Sequence, residues 1–271
     1  MAKKNLGEMS FLDHLEELRW LLVRSTAAIV IMATIAFFVS DYVFDTIIFG
    51  PAHADFITYR FFCDLSHYVG FKDSICVENF SFIIQNTSME GQVNILVWIC
   101  VTAGFILAFP YILYLLWKFI SPALYEKERK NAKLFIFVAS LLFFLGVLFG
   151  YFVVVPMSVN FFATFKVSEV VKNQFSLDSY ISLIKTSVIA SGLFFEMPII
   201  IYFLTKLGLV TPAFLRKYWK YAVLIILIVA AIVTPPDVVS QLIVAIPMLL
   251  IYEASILIAI LVHKKQLKQN G

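Results

Sequence analysis

The segment WLLVRSTAAIVIMATIAFFVS, residues 20–40, decides how this chain folds. Its one charged residue is Arg24, and it is long enough to cross about 30 Å of hydrocarbon as a helix. The alternative is a cleavable signal peptide. The apolar run is too long for one, no Ala-x-Ala site follows it, and acidic residues precede it. We therefore predict a membrane-spanning helix here.

The composition of the whole chain points the same way. Hydrophobic residues make up 61% of the 271 residues and charged residues only 14%. A soluble domain carries about 25% charged residues. This balance excludes an ordinary soluble globular protein and predicts an integral membrane protein.

Six apolar segments predict an all-α membrane protein of six transmembrane helices, arranged as a concave bundle in a single domain over residues 1–271. The predicted spans lie near 20–40, 93–117, 133–155, 183–205, 219–233 and 241–262. The fifth span is short, about 22 Å as a helix. Pro247 is expected to interrupt the sixth span, because proline removes a helical hydrogen bond.

The distribution of cations predicts the orientation. Most of the 21 lysines and arginines fall in four places: the N-terminal segment, the second loop, the fourth loop and the C-terminal tail. The positive-inside rule then places both termini in the cytoplasm. The long loop 41–92 becomes extracytoplasmic and, with the shorter outer loops, would cap the bundle. Phe11, Leu15, Leu18 and Leu22 share one helical face, which predicts a short amphipathic N-terminal helix at the inner surface.

The cysteines divide by compartment. Cys63 and Cys76 both lie in the long outer loop, and Cys100 lies in the second span. A pair on the oxidising side favours a disulfide over two free thiols, although both remain open from the sequence.

Common catalytic and ligand-binding motifs are missing from the sequence. It has no G-x-x-x-x-G-K-[ST] nucleotide loop, no H-E-x-x-H zinc motif and no G-x-S-x-G nucleophile elbow. We therefore expect no cofactor, no metal site, no catalytic residues and no nucleic-acid partner. The chain is predicted to be a binding or transport protein and not an enzyme.

Two acidic elements stand on the predicted cytoplasmic side, where cations are the norm. Glu17 precedes the first span, and Glu128 lies among cations in the second loop. The ordinary interpretations are an intrahelical pair between Glu16 and Arg19 and a solvated loop of mixed charge. The functional interpretation is a carboxylate pocket for a partner with paired guanidinium groups, since arginine binds carboxylate in bidentate fashion.

Four motifs in order carry a resemblance to a known family. They are HLEELR at 14–19, FISPALYEKER at 119–129, FFEMP at 194–198, and TPPDVVSQ followed by IPM within 234–248. Together they resemble the twin-arginine protein translocase subunit TatC, and the resemblance covers nearly the whole chain. It implies a receptor in the bacterial cytoplasmic (inner) membrane for folded precursors whose signal peptides carry paired arginines.

The resemblance also implies roles for individual residues. Signal binding would fall to Glu17 and Glu128, with Arg19, Phe119 and Pro122 in the same two motifs. Contacts within the membrane or with partner subunits would involve Glu196, Thr234, Asp237 and Gln241. Implied partners are single-span subunits of the TatA type and possibly of the TatB type, with self-association in the receptor complex. Export would be driven by the proton gradient.

A rival class is a solute transporter with Glu196 as a proton carrier. Such a protein should show discontinuous helices around a midplane site, often within an internal repeat. The sequence offers one intramembrane acid and no visible repeat. An intramembrane enzyme is a third possibility, but no catalytic pair supports it.

Overall fold

The computed structural model describes residues 11–69, 76, 80, 82–121, 132–168, 170, 172–235 and 237–270. The described chain is almost entirely helical. The main helices are α1 (Phe11–Phe38), α2 (Ile57–Val69), α3 (Gly91–Ile120), α4 (Ala132–Phe149), α5 (Val155–Thr164), α6 (Leu177–Phe195), α7 (Met197–Lys206), α8 (Pro212–Lys217), α9 (Trp219–Val233) and α10 (Val238–Asn270). Short helical turns occupy Ser40–Tyr42, Val43–Ile48 and Gly50–Ala52, and the π-helical segment Gly150–Val154 joins α4 to α5. The strands β1 (Ile83–Gln85) and β2 (Gln174–Ser176) complete the list.

Five helical stretches in the described residues are long and apolar enough to cross a membrane. They are His14–Phe38, Gly91–Ile120, Lys133–Thr164, Leu177–Lys206 and Ser240–Gln266. The helix Trp219–Val233 is equally apolar but shorter, with 15 residues. These lengths and compositions identify a multi-pass membrane protein with an all-helical architecture.

Two local predictions were wrong. The N-terminal amphipathic segment is not a separate helix, because it forms the first turns of the continuous α1. No glycine or proline lies between Phe11 and Phe38, so nothing in the backbone stops the helix from propagating. Pro247 does not interrupt the sixth span either, since α10 runs through it from Val238 to Asn270.

The described chain divides into two compact units. The first comprises residues 1–43 and 92–142, and the second comprises residues 44–91 and 143–271. In the first unit, α1 and α3 approach closely at Gly104. A Cβ atom added there would lie 2.7 Å from the Ile29 carbonyl oxygen and from the Ala33 nitrogen. Ala33, Ala36 and Cys100 form the small core at this contact.

In the second unit, small residues bring the third and fourth spans together. A Cβ atom at Gly146 would lie 2.6 Å from the Ser191 carbonyl oxygen, and one at Gly150 would lie 2.7 Å from the Ser187 carbonyl oxygen. The two glycines and the two serines each repeat after four residues, so each pair lies on one helical face. Close backbone approach through such pairs is typical of membrane helix packing.

The fourth span is divided into two helices at Glu196. Its first half, α6, ends at Phe195 and packs on the π-helical segment, and its second half, α7, packs on α10. Pro198 lies in the first turn of α7, where its missing N–H costs no hydrogen bond. The main apolar core of this unit forms between α7, α9 and α10 and includes Ile226, Val244, Met248 and Ile256.

The segment between the first two spans folds onto the ends of the third and fourth. β1 pairs in parallel with β2, with Ile83 opposite Gln174. The Tyr59 hydroxyl donates to the carbonyl oxygens of Pro51 (2.8 Å) and Pro156 (3.2 Å). These contacts position α2 beside the start of α5.

Candidate functional site

The N-terminal end of α1 contacts the C-terminal end of α3. The His14 and Phe119 rings stack with their centroids 4.3 Å apart and their planes 24° from parallel. Phe119 is half-buried. This contact holds the start of the HLEELR segment, in α1, against the end of α3. His14 lies one helical turn before Glu17, so Glu17 is close to the same contact.

Glu17 and Arg19 are both exposed on the first turns of α1. They are two positions apart and therefore point about 160° away from each other around the helix. Within the described part of the chain, no salt bridge or hydrogen bond engages the Glu17 carboxylate. An exposed, uncompensated carboxylate can accept a cationic partner without first breaking an internal ion pair.

Glu128 belongs to the segment between α3 and α4. The residues that flank this segment lie near the contact of His14 with Phe119. Ser121, the residue that follows α3, is 7% exposed. The rings of Trp117 and Phe135 lie 4.5 Å apart, so the residues before and after the loop contact each other. Pro122 and Glu128 lie outside the described residues.

Glu196 is a buried carboxyl group in a membrane-spanning segment. Its residue is 6% exposed, and it separates α6 from α7. Its backbone carbonyl accepts hydrogen bonds from the N–H groups of Ile199 and Ile200, both at 3.0 Å. Oε1 finds no hydrogen-bond partner among the residues that the structure describes. A carboxyl group buried in a span without a hydrogen-bond partner costs free energy, so its presence there calls for a partner or a role.

The turn between α9 and α10 holds the other three predicted residues. The Thr234 hydroxyl donates to the Ala230 carbonyl oxygen at 2.8 Å and is buried. The Gln241 Nε2 group donates to the Leu227 carbonyl oxygen at 3.0 Å. The Asp237 carboxylate accepts from the Ser240 N–H at 2.7 Å and so caps the start of α10. All three side chains therefore make bonds within the chain that fix this turn.

The α9–α10 hairpin also contains a polar contact that sequence reasoning missed. Trp219 Nε1 donates to Glu253 Oε1 at 2.5 Å, with both residues exposed. The sequence alone suggests only that Glu253 extends toward the membrane surface. A signal was available in the spacing, since Trp219 lies as far before Thr234 as Glu253 lies after Val238. In an antiparallel hairpin, residues equally distant from the turn are opposite each other.

The two cysteines between the first and second spans are joined. Cys63 and Cys76 form a disulfide, with their Cα atoms 4.6 Å apart. The His67 Nε2 atom lies 3.7 Å from the Cys76 sulfur. These three residues could bind a metal ion only as thiolates and imidazole. Because the sulfurs are bonded to each other, we assign no metal site here.

The fold and these sites define a class of protein. It is a multi-pass membrane protein whose distinctive polar groups stand at helix ends, at one turn and at one buried break in a span. Residues 13–247 match the family model described as Sec-independent protein translocase protein (TatC). The chain belongs to the TatC family, as the four sequence motifs predicted.

Relatives and a solved structure agree with this assignment. A Sec-independent protein translocase protein TatC from Blattabacterium sp. subsp. Periplaneta americana is 46% identical over 97% of this chain and 100% of its own length. The TatC of Aquifex aeolicus is 35% identical over 95% of this chain and 98% of its own. A crystal structure of the twin arginine translocase receptor TatC matches with a TM-score of 0.70 and 36% identity, over 92% of this chain and 99% of that one. The chain is therefore a member of a family of protein translocase components, which are transport proteins.

Proposed function

We propose that this chain is the receptor subunit of the twin-arginine translocation system in the bacterial cytoplasmic membrane. It would bind the paired-arginine signal peptide of folded precursors at its cytoplasmic face. The observation that carries the proposal is the exposed Glu17, held beside the end of α3 by the stacking of His14 on Phe119. The similar protein of known crystal structure is likewise described as a receptor.

The chemistry of Glu17 suits an arginine pair. A guanidinium group stays charged at any physiological pH and can bind a carboxylate through two parallel hydrogen bonds. Two adjacent arginines in an extended signal peptide point to opposite sides of the chain, so two separate carboxylates would bind them. Glu17 supplies one, and its neighbour Arg19 points to another side of α1, so it leaves that carboxylate available.

Glu128 is proposed as the second carboxylate. It lies four positions before Ala132, so the intervening chain reaches at most about 14 Å from the start of α4. The contact of Trp117 with Phe135 keeps that start next to the end of α3. Pro122, which follows the buried Ser121, would fix the direction in which the loop leaves α3.

We further propose that α9 is a sixth crossing and that both termini are cytoplasmic. The α9–α10 hairpin is bonded near both of its ends, by Gln241 to Leu227 and by Trp219 to Glu253. α9 is thus held antiparallel to a helix that is long enough to span. Local thinning of the bilayer would accommodate its 15 residues.

The same hairpin is the proposed docking place for the small single-span subunits, of the TatA type and possibly the TatB type. Thr234, Asp237 and Gln241 fix the turn through their internal bonds. A partner helix would therefore meet a preformed surface. Self-association in the receptor complex and coupling to the proton gradient belong to the same proposal, with Glu196 as a buried polar contact.

Photo-crosslinking of a twin-arginine signal peptide to membranes tests the central claim. Glu17→Ala and Glu128→Ala should each weaken binding, and the double variant should weaken it further. A charge-assisted hydrogen bond contributes about 1.5–3 kcal/mol, which predicts a loss of roughly tenfold to a hundredfold in affinity per site. The matched control is Glu16→Ala, a change to the exposed carboxylate next to Glu17 that should leave crosslinking nearly unchanged.

Unchanged crosslinking in the double variant, at equal protein levels, would remove the signal-binding role from these carboxylates. An equal loss in Glu16→Ala would show that negative charge near α1 matters in general and that Glu17 has no particular role.

A further inference from the structure

Helix α2 has an exposed surface that is divided lengthwise into an apolar and a polar edge. Ile57, Phe61 and Tyr68 are 65%, 62% and 91% exposed, and their positions fall within about 40° of one another around the helix. Arg60 and His67 are exposed on the other edge, about 60–120° away from the apolar one. The exposed Asp64 lies between the two edges.

The opposite side of α2 is attached to the protein. The Thr58 hydroxyl donates to the Phe152 carbonyl oxygen at 2.7 Å, and Tyr59 donates to Pro51 and Pro156. Burial, and secondarily the neighbouring Tyr180, raises the pKa of Tyr59, so this hydroxyl keeps its proton and remains a donor. The outward direction of α2 is therefore fixed, and its apolar edge cannot rotate inward.

The third span shows at what depth α2 lies. The helical stretch Lys133–Thr164 has 32 residues, which corresponds to about 48 Å of helix. The hydrocarbon layer is only about 30 Å thick, which is roughly 20 residues of helix. Lys133 marks the polar end of the stretch, so the surplus falls at the other end, from about residue 153 onward. Phe152 and Pro156, which α2 contacts, are therefore at the boundary between hydrocarbon and head groups.

We propose that α2 is a membrane-surface helix, with Ile57, Phe61 and Tyr68 inserted among the lipids of the leaflet remote from Lys133. The polar edge with Arg60 and His67 faces water. A helix at the membrane surface has lipid on one side and water on the other, and the apolar and polar edges of α2 match these two environments. Phenylalanine and tyrosine at this level also resemble the aromatic residues that anchor membrane proteins at the interface. The disulfide from Cys63 to Cys76 would tie the remainder of the loop to this anchored helix.

Depth-resolved quenching in proteoliposomes tests the proposal on the full chain. A small fluorescent amino acid is placed at position 61 in one variant and at position 60 in another. The vesicles contain phosphatidylethanolamine and phosphatidylglycerol, with or without lipid carrying a nitroxide high on the acyl chain. We expect the probe at position 61 to be quenched by the nitroxide lipid at least threefold more than the probe at position 60. Aqueous iodide should show the reverse order.

A second pair of positions, 57 and 67, repeats the measurement if a probe at position 61 disturbs the packing. Iodide quenching of the apolar-edge probes equal to that of the polar-edge probes would overturn the proposal, because both edges would then face water. Protection of the apolar-edge probes from both quenchers would also overturn it, because a protein surface would then cover that edge.

Discussion

At the scale of single residues, the structure distinguishes polar side chains that are free to bind a ligand from those that already form hydrogen bonds within the chain. Glu17 is exposed, and the described chain offers its carboxylate no cation. Thr234, Asp237 and Gln241 are bonded to neighbouring backbone. Substitutions at Glu17 should therefore alter ligand binding, whereas substitutions at Gln241 should also loosen the hairpin that contains it.

The disulfide gives a residue-scale prediction. Alkylation in denaturant without reductant should label Cys100 alone, because Cys63 and Cys76 are bonded to each other. Mass spectrometry of the labelled chain counts the alkyl groups, and reductant should raise the count from one to three. The Cys76→Ser variant is the control, since it should expose Cys63 to the reagent without reductant. Labelling of all three thiols in the unreduced wild-type chain would contradict the disulfide.

Residue order in the sequence selects candidate positions, and their roles stay predictions. The HLEELR and TPPD motifs supply those candidates, but they do not contain the contacts between helices. The stacking of His14 on Phe119 and the bond from Trp219 to Glu253 join residues 105 and 34 positions apart. Such contacts depend on which helices become neighbours, and hydrophobic periodicity within one helix does not contain that information.

At the scale of helices, the apolar runs predicted the five long spans, because hydropathy and length decide whether a helix can cross the bilayer. The sixth predicted span stays a prediction. The break in the fourth span also follows from its sequence, because Pro198 cannot continue the hydrogen bonding of α6. The strands β1 and β2 could not be predicted, since each has only three residues and the paired residues, such as Ile83 and Gln174, lie 91 positions apart. The amphipathic pattern of residues 11–22 does not predict the continuity of α1, because a change from an amphipathic to an apolar pattern does not show whether the helix ends there.

The contact between the third and fourth spans gives an element-scale prediction. Gly150→Ala should lower the stability of the folded protein, since the new Cβ atom would lie 2.7 Å from the Ser187 carbonyl oxygen. Overpacking of this kind costs about 1–3 kcal/mol. Thermal unfolding in a mild detergent, followed by size-exclusion chromatography, measures the change in Tm.

Leu148→Ala is the matched control for that experiment. Leu148 lies in the same membrane-spanning stretch as Gly150 and is 48% exposed, so its shortening removes little internal packing. Its Tm should stay near that of the wild-type chain. If Gly150→Ala melts at the wild-type temperature, the third and fourth spans can separate slightly at no cost, and the small residues do not determine their packing.

At the scale of the whole molecule, the number of crossings decides which side each terminus occupies. Five helical stretches in the described part of the chain are long enough to span, and α9 adds a sixth if the bilayer adapts to its 15 residues. With six crossings the two termini lie on one side, and with five they lie on opposite sides. The basic residues near both termini favour the cytoplasm for each of them.

Reporter fusions distinguish the two topologies. A green fluorescent protein joined after Gly271 should fluoresce, because it folds in the cytoplasm and not after unfolded export. An alkaline phosphatase joined after Pro235, at the α9–α10 turn, should be active, because it requires the oxidising side of the membrane. The reciprocal fusions, with the reporters exchanged, should both be inactive and serve as controls. An active phosphatase after Gly271 with a dark fluorescent fusion at the same point would show that α9 does not cross, and the α9–α10 turn would then lie on the same side of the membrane as the signal-binding face.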